Sequence, residues 1–252
     1  MNLEKKQGSG DTFSTVSTIA IDGPVASGKS TLGALLAEKL GYVYLDTGVM
    51  YRAVTWAALA RGVAIDAEDA IVRLAEEVDI SVTAPATDDG RQYTVLVDGR
   101  DVTWDIRRPE VEIAVSPVST YPGVREALTR QQRRLGRQGR IVMVGRDIGT
   151  VVLPDADLKI YLTASEEERA RRRHLERSSH GQECSYEEVL RETRRRDRID
   201  SEREAAPLRA AEDAIVVDST SMNVEGVLAY VEGLVARCHR NEGEGAGRSV
   251  TC

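Results

Sequence analysis

The stretch Gly23–Thr31, GPVASGKST, combines two glycines, a lysine and three hydroxyl side chains within nine residues. It fits the pattern G-x-x-x-x-G-K-[ST], in which backbone N–H groups cradle phosphates, the lysine reaches the β- and γ-phosphates, and the last hydroxyl contacts Mg²⁺. The pattern predicts a nucleoside-triphosphate site with Ser30 as the metal ligand. The predicted site is lined by Gly23, Pro24, Val25, Ala26, Ser27, Gly28, Lys29, Ser30 and Thr31.

Arginines form a second set of residues suited to phosphate chemistry. Only five of the 34 cationic side chains are lysines, and many arginines fall within Arg169–Arg177 and Arg191–Arg203. Arg196, Asp200 and Arg203 are spaced i, i+4 and i+7, so a helix would place them on one face. The planar guanidinium suits bidentate phosphate contacts, but Glu–Arg pairs on solvated helices would give a similar composition. Both interpretations, phosphate binding and a solvated helix surface, stay open, and the phosphate loop favours phosphate binding.

The hydrophobic pattern predicts a scaffold that would bring these residues together. Buried strands are predicted at Thr18–Asp22, Val43–Asp46, Ile141–Val144, Lys159–Leu162 and Ile215–Val217, with helices of 3.6-residue period between them. Strands that alternate with helices over short connections indicate an α/β fold whose central parallel sheet is covered on both faces. Ligands of such sheets lie beyond the carboxyl ends of the strands, where Gly23, Asp46 and Arg146 are expected.

Between Val78 and Asp105 the helical period gives way to alternation, with turn signals at 88–90 and 98–99. This predicts a small antiparallel meander, interpreted as an insertion into the alternating chain. Further on, Ser165 is predicted to cap an arginine-rich helix, and a break at Ser178–Ser185 separates it from a second helix through about Ile199. The predicted organisation is a flexible leader at 1–17, one domain at 18–238, and a flexible tail at 239–252. Within the domain, an inserted lobe is placed at about 62–123 and a helical lid at about 165–204.

Composition narrows the classes of protein. No apolar run approaches the roughly 20 residues that span a bilayer, and the first residues lack the apolar segment of a secretory signal. The three cysteines, Cys184, Cys238 and Cys252, show no CxxC spacing and fit a reducing cytoplasm. A module that docks RNA through its arginine-rich helices is disfavoured by the net charge of −7 and the interleaved acids. We therefore expect a cytoplasmic protein with no membrane or nucleic-acid partner, and nothing in the sequence demands more than a monomer.

The loop alone does not name the reaction. The sequence contains no Asn-Lys-x-Asp stretch that would read guanine, and no acidic pair at a strand end typical of motor ATPases. Arginines beside strand ends suit an enzyme that neutralises both a donor and an acceptor phosphate. A lobe that closes over the substrates would exclude water. These features favour a kinase.

Five further stretches follow the loop in order: LDTGVMYRA at Leu45–Ala53, VREAL at Val124–Leu128, GRDIGTVVLPDAD at Gly145–Asp157, RDRID at Arg196–Asp200 and APL at Ala206–Leu208. With the loop, they resemble the bacterial cytidylate kinase family over about Thr18–Ala236. The resemblance implies a P-loop nucleoside monophosphate kinase with an acceptor-binding lobe that carries a small extra sheet. It also implies Mg²⁺-dependent transfer from ATP to CMP or dCMP in pyrimidine nucleotide metabolism.

The same resemblance implies roles for individual residues. Arg52 and Arg146 would hold the acceptor phosphate, while Arg196 and Arg203 would come from the lid to stabilise the transferring phosphoryl group beside Lys29. Asp200 would contact the acceptor sugar, and Thr47 would lie near the acceptor. The cytosine edge would be read by Ser116, Arg125 and Asp147.

Base reading also has a physical rationale, because telling cytosine from uracil requires an acceptor for the exocyclic amine. Pro117 is expected to disturb this region: it removes a backbone donor and should hold Ser116 in an extended conformation. A kinase of AMP, UMP or a small alcohol on the same architecture remains an alternative. The set Ser116, Arg125 and Asp147 is what would distinguish the two.

Overall fold

The structure, a computed structural model, describes residues 16–83, 85–179 and 181–241. Its strands are β1 (Thr18–Asp22), β2 (Val43–Asp46), β3 (Ile80–Thr83), β4 (Thr94–Val97), β5 (Arg100–Asp101), β6 (Ile141–Gly145), β7 (Leu158–Thr163) and β8 (Ile215–Asp218). Its helices are α1 (Lys29–Leu40), α2 (Gly48–Ala60), α3 (Glu68–Glu77), α4 (Pro109–Val118), α5 (Pro122–Gly136), α6 (Glu166–Ser179), α7 (Tyr186–Glu202) and α8 (Val224–Asn241).

The main sheet is parallel and has the strand order β2-β6-β1-β7-β8. Its central strand β1 contributes Ile19, Ala20 and Ile21, which are fully buried because helices cover both faces. The predicted α/β fold and its five parallel strands are confirmed. This order sets the ends of β1, β2 and β6 side by side, so the segments that follow them meet at one edge.

The predicted meander is also present, as an antiparallel sheet of order β3-β4-β5. Its tight turn between β4 and β5 is made by Asp98 and Gly99, whose φ angles of 50° and 78° match a two-residue hairpin. The sheet packs through Val95 and Val97 into the same apolar cluster as residues of α2, α3 and α5. The division of the chain into core, inserted lobe and lid remains a prediction.

Pro117 does not interrupt α4, so the expected extended conformation of Ser116 is wrong. The proline lies one residue before the helix end, and the carbonyl to which it cannot donate belongs to Ile113, a residue that is 74% exposed. The last turn is closed by side chains, since the hydroxyl of Ser119 donates to Ser116 O at 2.8 Å and that of Thr120 to Pro117 O at 2.7 Å.

The two arginine-rich helices begin and end close to the predicted residues. Ser185 and Glu188 form a capping box at the start of α7, and Ser165 accepts a hydrogen bond from Glu168 N at 3.2 Å at the start of α6. Helix α7 continues to Glu202, beyond the expected end at Ile199. Arg203 is extended, with φ −62° and ψ 141°, so it does not continue the helical face of Arg196 and Asp200.

The chain ends differ from their predicted boundaries where the structure describes them. Val16 is buried, and Ser17 N donates to Asp157 Oδ2 at 2.8 Å, so the end of the proposed leader is fixed to the domain. Helix α8 runs to Asn241, past the proposed domain end at 238. The rest of the leader and of the tail, including Cys252, lies outside the described residues. Across the described ranges, no helix has the length and apolar character required to cross a membrane.

Candidate active site

The phosphate loop leaves β1 and enters α1, as its sequence predicts. Gly23 has φ +150°, and a Cβ placed there would lie 2.0 Å from Leu162 O on β7. Because that contact is with backbone, no other residue fits. The close packing of the loop against β7 thus explains its first glycine.

Lys29 is curled over its own loop. Its side chain is buried, and Nζ donates to Pro24 O at 2.6 Å and to Ser27 Oγ at 3.4 Å. Burial lowers the pKa of Lys29 well below its ordinary value, and the charge of Arg146 lowers it further. Both hydrogen-bond partners are neutral oxygens, so a bound phosphate would give this ammonium a charged partner.

Ser30 and Asp46 join the loop to the end of β2. Ser30 Oγ donates to Asp46 Oδ2 at 2.8 Å, and Asp46 Oδ1 accepts from Gly48 N at 3.0 Å at the start of α2. The sequence placed Asp46 at a strand end but did not assign it to the metal. A hydroxyl beside a carboxylate is an oxygen pair of the kind Mg²⁺ prefers. The described residues contain no cluster of three or more His, Cys, Asp or Glu side chains suited to a metal.

The predicted acceptor residues form an alternating chain of charges across the cavity. Arg125 Nη2 donates to Asp147 Oδ2, and Asp147 Oδ1 lies 3.6 Å from Arg203 Nη2. Arg203 Nη1 lies 3.8 Å from Asp200 Oδ1, whose second oxygen accepts from Arg146 Nε at 2.8 Å. Residues from α5, the β6 end and α7 therefore meet in one network, although they are far apart in sequence.

Burial and pairing act in opposite directions within this network. Burial disfavours the carboxylate of Asp200, but Arg146 and Arg203 outweigh it and lower the pKa of Asp200. Burial likewise disfavours the charged guanidiniums of Arg125 and Arg146, yet nearby groups raise the pKa of both, chiefly Tyr51 and Asp147 for Arg125 and Asp200 for Arg146. Asp200, Arg125 and Arg146 therefore stay ionised and offer charged groups to a ligand.

Arg52 and Arg196 face Glu112 on α4. Glu112 Oε1 is 3.9 Å from Arg52 Nη2 and 3.8 Å from Arg196 Nη1, while Arg52 Nη1 also donates to Ile106 O at 3.3 Å. Burial, together with the charges of Arg146 and Arg52, lowers the pKa of Arg196 to about 10. Sequence reasoning missed Glu112, because an acid on a predicted helix is typical of a solvated surface.

Thr47 and Ser116 are the uncharged side chains among the predicted acceptor residues. Thr47 is buried, and its Oγ1 donates to Val144 O at 2.9 Å, which fixes the start of α2 to β6. Ser116 lies on the cavity wall formed by α4. It is the neighbouring Ser119, not singled out from sequence, whose carbonyl accepts from Arg125 Nη1 at 3.1 Å.

One cavity of about 1160 Å³ collects these residues. Every predicted site residue lines it except Gly23 and Pro24. The volume exceeds the upper limit of about 1,000 Å³ that is typical of a single small-molecule site, so there is room for two substrates. The arrangement can bind two phosphate-bearing molecules with guanidinium groups around and between them.

The parallel sheet, the phosphate loop at its central strand and the arginine-lined cavity define a P-loop phosphotransferase. The family model for cytidylate kinase matches residues 19–237. A cytidylate kinase from Chloroflexus aggregans is 56% identical over 214 residues, covering 85% of this chain and 91% of that protein. One from Herpetosiphon aurantiacus is 50% identical over 224 residues, covering 89% and 96%. The chain therefore belongs to the cytidylate kinase family.

Among solved structures, a gluconokinase from Sinorhizobium meliloti 1021 aligns with a TM-score of 0.47 and 14% sequence identity. The alignment covers 90% of this chain and 96% of that one. At that similarity it adds nothing to the family assignment.

Proposed function

We propose that this chain transfers the γ-phosphoryl group of ATP to CMP or dCMP, giving ADP and CDP or dCDP. Membership of the cytidylate kinase family supports the reaction. The structural observation that carries it is a single cavity lined both by residues of the phosphate loop and by the buried Arg125–Asp147 pair. Such a site holds a triphosphate and a second polar ligand together.

On the donor side, the loop from Gly23 to Thr31 is proposed to bind the ATP phosphates through its backbone N–H groups and the start of α1. Lys29 would leave Pro24 O and contact the β- and γ-phosphates. The negative charge of the phosphates opposes the lowering of the Lys29 pKa and stabilises its ammonium.

On the acceptor side, Arg52 and Arg146 are proposed to hold the CMP phosphate, and Arg196 and Arg203 to stabilise the transferring group. Arg146 and Arg203 are already aligned by Asp200, which we also propose as a contact of the sugar. Because these donors are held before the substrates arrive, little reorganisation is needed in the transition state. Thr47 is proposed to lie close to the acceptor, with its hydroxyl anchored on Val144 O.

Base selection is assigned to Asp147, Arg125 and Ser116. A carboxylate of Asp147 accepts from an exocyclic amine, which cytosine has and uracil lacks. Arg125 is oriented for this by three contacts, namely Asp147 Oδ2, Ser119 O and the face of the Tyr51 ring at 5.4 Å. The role of Ser116 rests on its place in the cavity wall and on the family resemblance.

The mechanism requires positioning and electrostatic stabilisation rather than covalent chemistry. The acceptor oxygen belongs to a phosphate that is already an anion, so no general base is needed. Mg²⁺, when bound with ATP, would neutralise charge on the β- and γ-phosphates. Ser30 is proposed to hold this ion, and the adjacent Asp46 fits it as a second oxygen donor.

We further propose that the enzyme acts as a monomer in the cytoplasm, without nucleic-acid or membrane partners. The three cysteines of the sequence show no CxxC spacing, which fits a reducing compartment. We also propose that the lobe at about 62–123 and the helices at about 165–204 close over the bound substrates. Light scattering on the purified chain tests the oligomeric state.

The function is tested by a coupled ADP-release assay with CMP, dCMP, UMP, AMP and GMP at matched concentrations. CMP and dCMP should give the highest kcat/KM, and a Lys29→Ala variant should give no turnover above background. Faster turnover of UMP or AMP than of CMP would refute the cytosine assignment. No ADP release with any nucleotide would refute the kinase assignment itself.

A further inference from the structure

Glu112 on α4 faces four guanidinium groups from three other helices. Its Oε1 accepts from Arg173 of α6 and lies 3.8 Å from Arg196 of α7, 3.9 Å from Arg52 of α2 and 4.0 Å from Arg177 of α6. One carboxylate is thus the meeting point of four cations. No residue of this cluster except Arg52 and Arg196 was assigned a function above.

The cluster is sheltered from water, since its five side chains are only 18–25% exposed. Burial lowers the pKa of Arg52, and the positive charge of the neighbouring Arg173 lowers it further, because like charges at this spacing repel one another. Burial also acts against the charged form of Glu112, but the four arginines outweigh it and lower its pKa. The carboxylate is therefore ionised and relieves part of the repulsion.

A single carboxylate does not satisfy four guanidinium groups. Arg173 also pairs with Glu176 at 2.9 Å, and Arg177 pairs with Glu192 at 2.7 Å. Only Arg173 is within hydrogen-bond distance of the Glu112 carboxylate, while the other three stand at 3.8–4.0 Å. A phosphate carries more charge and more acceptor oxygens, and guanidinium groups bind it in bidentate fashion. The four arginines are therefore arranged as in a phosphate site, and the smaller carboxylate of Glu112 occupies the place of the phosphate.

We infer that Glu112 is an internal competitor for substrate phosphate: its carboxylate holds the arginines together in the free enzyme and must give way when a nucleotide phosphate enters. The inference rests on the proposed function, because Arg52 and Arg196 are the residues proposed there to contact phosphate. Glu112 thereby sets how tightly the enzyme holds its substrates. It is a positioning residue and takes no part in the transfer itself.

The test replaces the carboxylate by its neutral isostere, Glu112→Gln, in the full chain. Titration calorimetry should show CMP binding about three- to tenfold tighter than in the wild type, because the competing charge is gone. Cytidine, which has no phosphate, should bind unchanged. Titration with ADP distinguishes the source of the phosphate: tightening of CMP alone places the acceptor phosphate at Glu112, and tightening of ADP places a donor phosphate there.

Glu110→Gln is the matched control. It removes the same charge two residues away on α4, where the side chain is exposed and takes part in none of these ion pairs. It should leave all three affinities unchanged. Thermal melting gives a second readout: without ligand, Glu112→Gln should melt at a lower temperature because the arginines repel one another, and CMP should raise its Tm by more than it raises the wild-type Tm.

Unchanged or weaker binding of both CMP and ADP by a folded Glu112→Gln protein would overturn the inference. Equal tightening of cytidine would do so as well, because the effect would then not concern phosphate. The proposed function fails on a different observation, namely a wild-type enzyme that prefers an acceptor other than CMP. In that case the ADP titration still tests the inference, because it needs no acceptor.

Discussion

Arg125 Nη2 donates to Asp147 Oδ2, and the two side chains are only 6% and 7% exposed. A buried ion pair of this kind contributes little net stability, but removal of one partner leaves an unpaired buried charge at a cost of about 3–5 kcal/mol. Asp147 also lies 3.6 Å from Arg203, so it connects the proposed base-reading residues with the proposed phosphate-binding ones. Substitutions at Asp147 must therefore separate specificity from folding.

Asp147→Asn should relax the choice of base more than it weakens ATP binding. The amide keeps the shape but presents an N–H₂ group, so one of the acceptors for the cytosine amine is lost. The ratio of kcat/KM for CMP over UMP should fall by about tenfold or more. Steady-state assays with both acceptors measure the ratio, and a CMP-over-UMP preference equal to that of the wild type would contradict the proposed role.

Arg203→Ala should lower kcat by about a hundredfold or more, because one charge-assisted donor to the transferring group is lost. The guanidinium is 5% exposed between Asp147 and Asp200, so some loss of stability is expected as well. kcat at saturating ATP and CMP should therefore be compared with Tm, and with Arg203→Lys as the variant that keeps the charge. A folded Arg203→Ala enzyme with undiminished kcat would dismiss this role.

Asp46→Asn should raise the Mg²⁺ concentration needed for half-maximal activity. The hydroxyl of Ser30 and the carboxylate of Asp46 lie 2.8 Å apart, and the amide gives the ion a weaker, uncharged ligand. Ser30→Ala should shift the Mg²⁺ requirement in the same direction. ADP binding in the presence of EDTA serves as the control and should change little, since it involves no metal. Unaltered Mg²⁺ dependence in both variants would remove these residues from the metal site.

The order of strands and helices could be predicted from sequence because each element carries its own signal. The β-branched run of Thr18–Asp22 predicts a buried strand, and the loop motif after it needs only local backbone geometry to bind phosphate. The predictions that were wrong concern residues whose backbone conformation depends on their neighbours. Pro117 stays in α4 because an exposed carbonyl loses its donor there, and Arg203 leaves α7 although the charge spacing suggested one continuous face.

The residues missed within the site depend on tertiary contacts. Glu112 is one acid among many in a charged sequence, and only the fold brings Arg173 and Arg177 to it from more than 60 residues away. Ser119 contributes a backbone carbonyl, which no side-chain pattern reveals. Spacing within one element can be read from sequence, whereas contacts between α4, α6 and α7 require the packed structure.

Asp22, at the end of β1, was not singled out from sequence, although it supports the segment that carries Asp147. It is 4% exposed, and its two oxygens accept from Ile148 N at 2.8 Å and Gly149 N at 2.7 Å. Burial raises the pKa of Asp22 from 3.8 to about 6, the two backbone N–H groups oppose this, and the charge of Asp147 adds to it. The group therefore titrates within the range in which the enzyme can be studied.

A carboxyl whose pKa is raised on folding binds more protons in the folded than in the unfolded state between the two pKa values. Its contribution to stability is fully present below the unfolded value and is lost as the pH rises through about 6. For a shift of this size the loss amounts to about 3 kcal/mol. The side chain of Asp22→Asn does not titrate. The free energy of unfolding of this variant should therefore increase relative to that of the wild type as the pH rises, whatever the lost hydrogen bond costs at low pH.

Urea unfolding of both proteins at about pH 4 and about pH 7 measures this difference. The free energy of unfolding of Asp22→Asn minus that of the wild type should increase by up to about 3 kcal/mol between the two conditions. A difference that stays constant with pH would show that Asp22 titrates alike in the folded and unfolded chains. The two backbone hydrogen bonds would then offset its burial completely, and the segment after β6 would be held by a carboxylate that titrates at its ordinary pKa of 3.8.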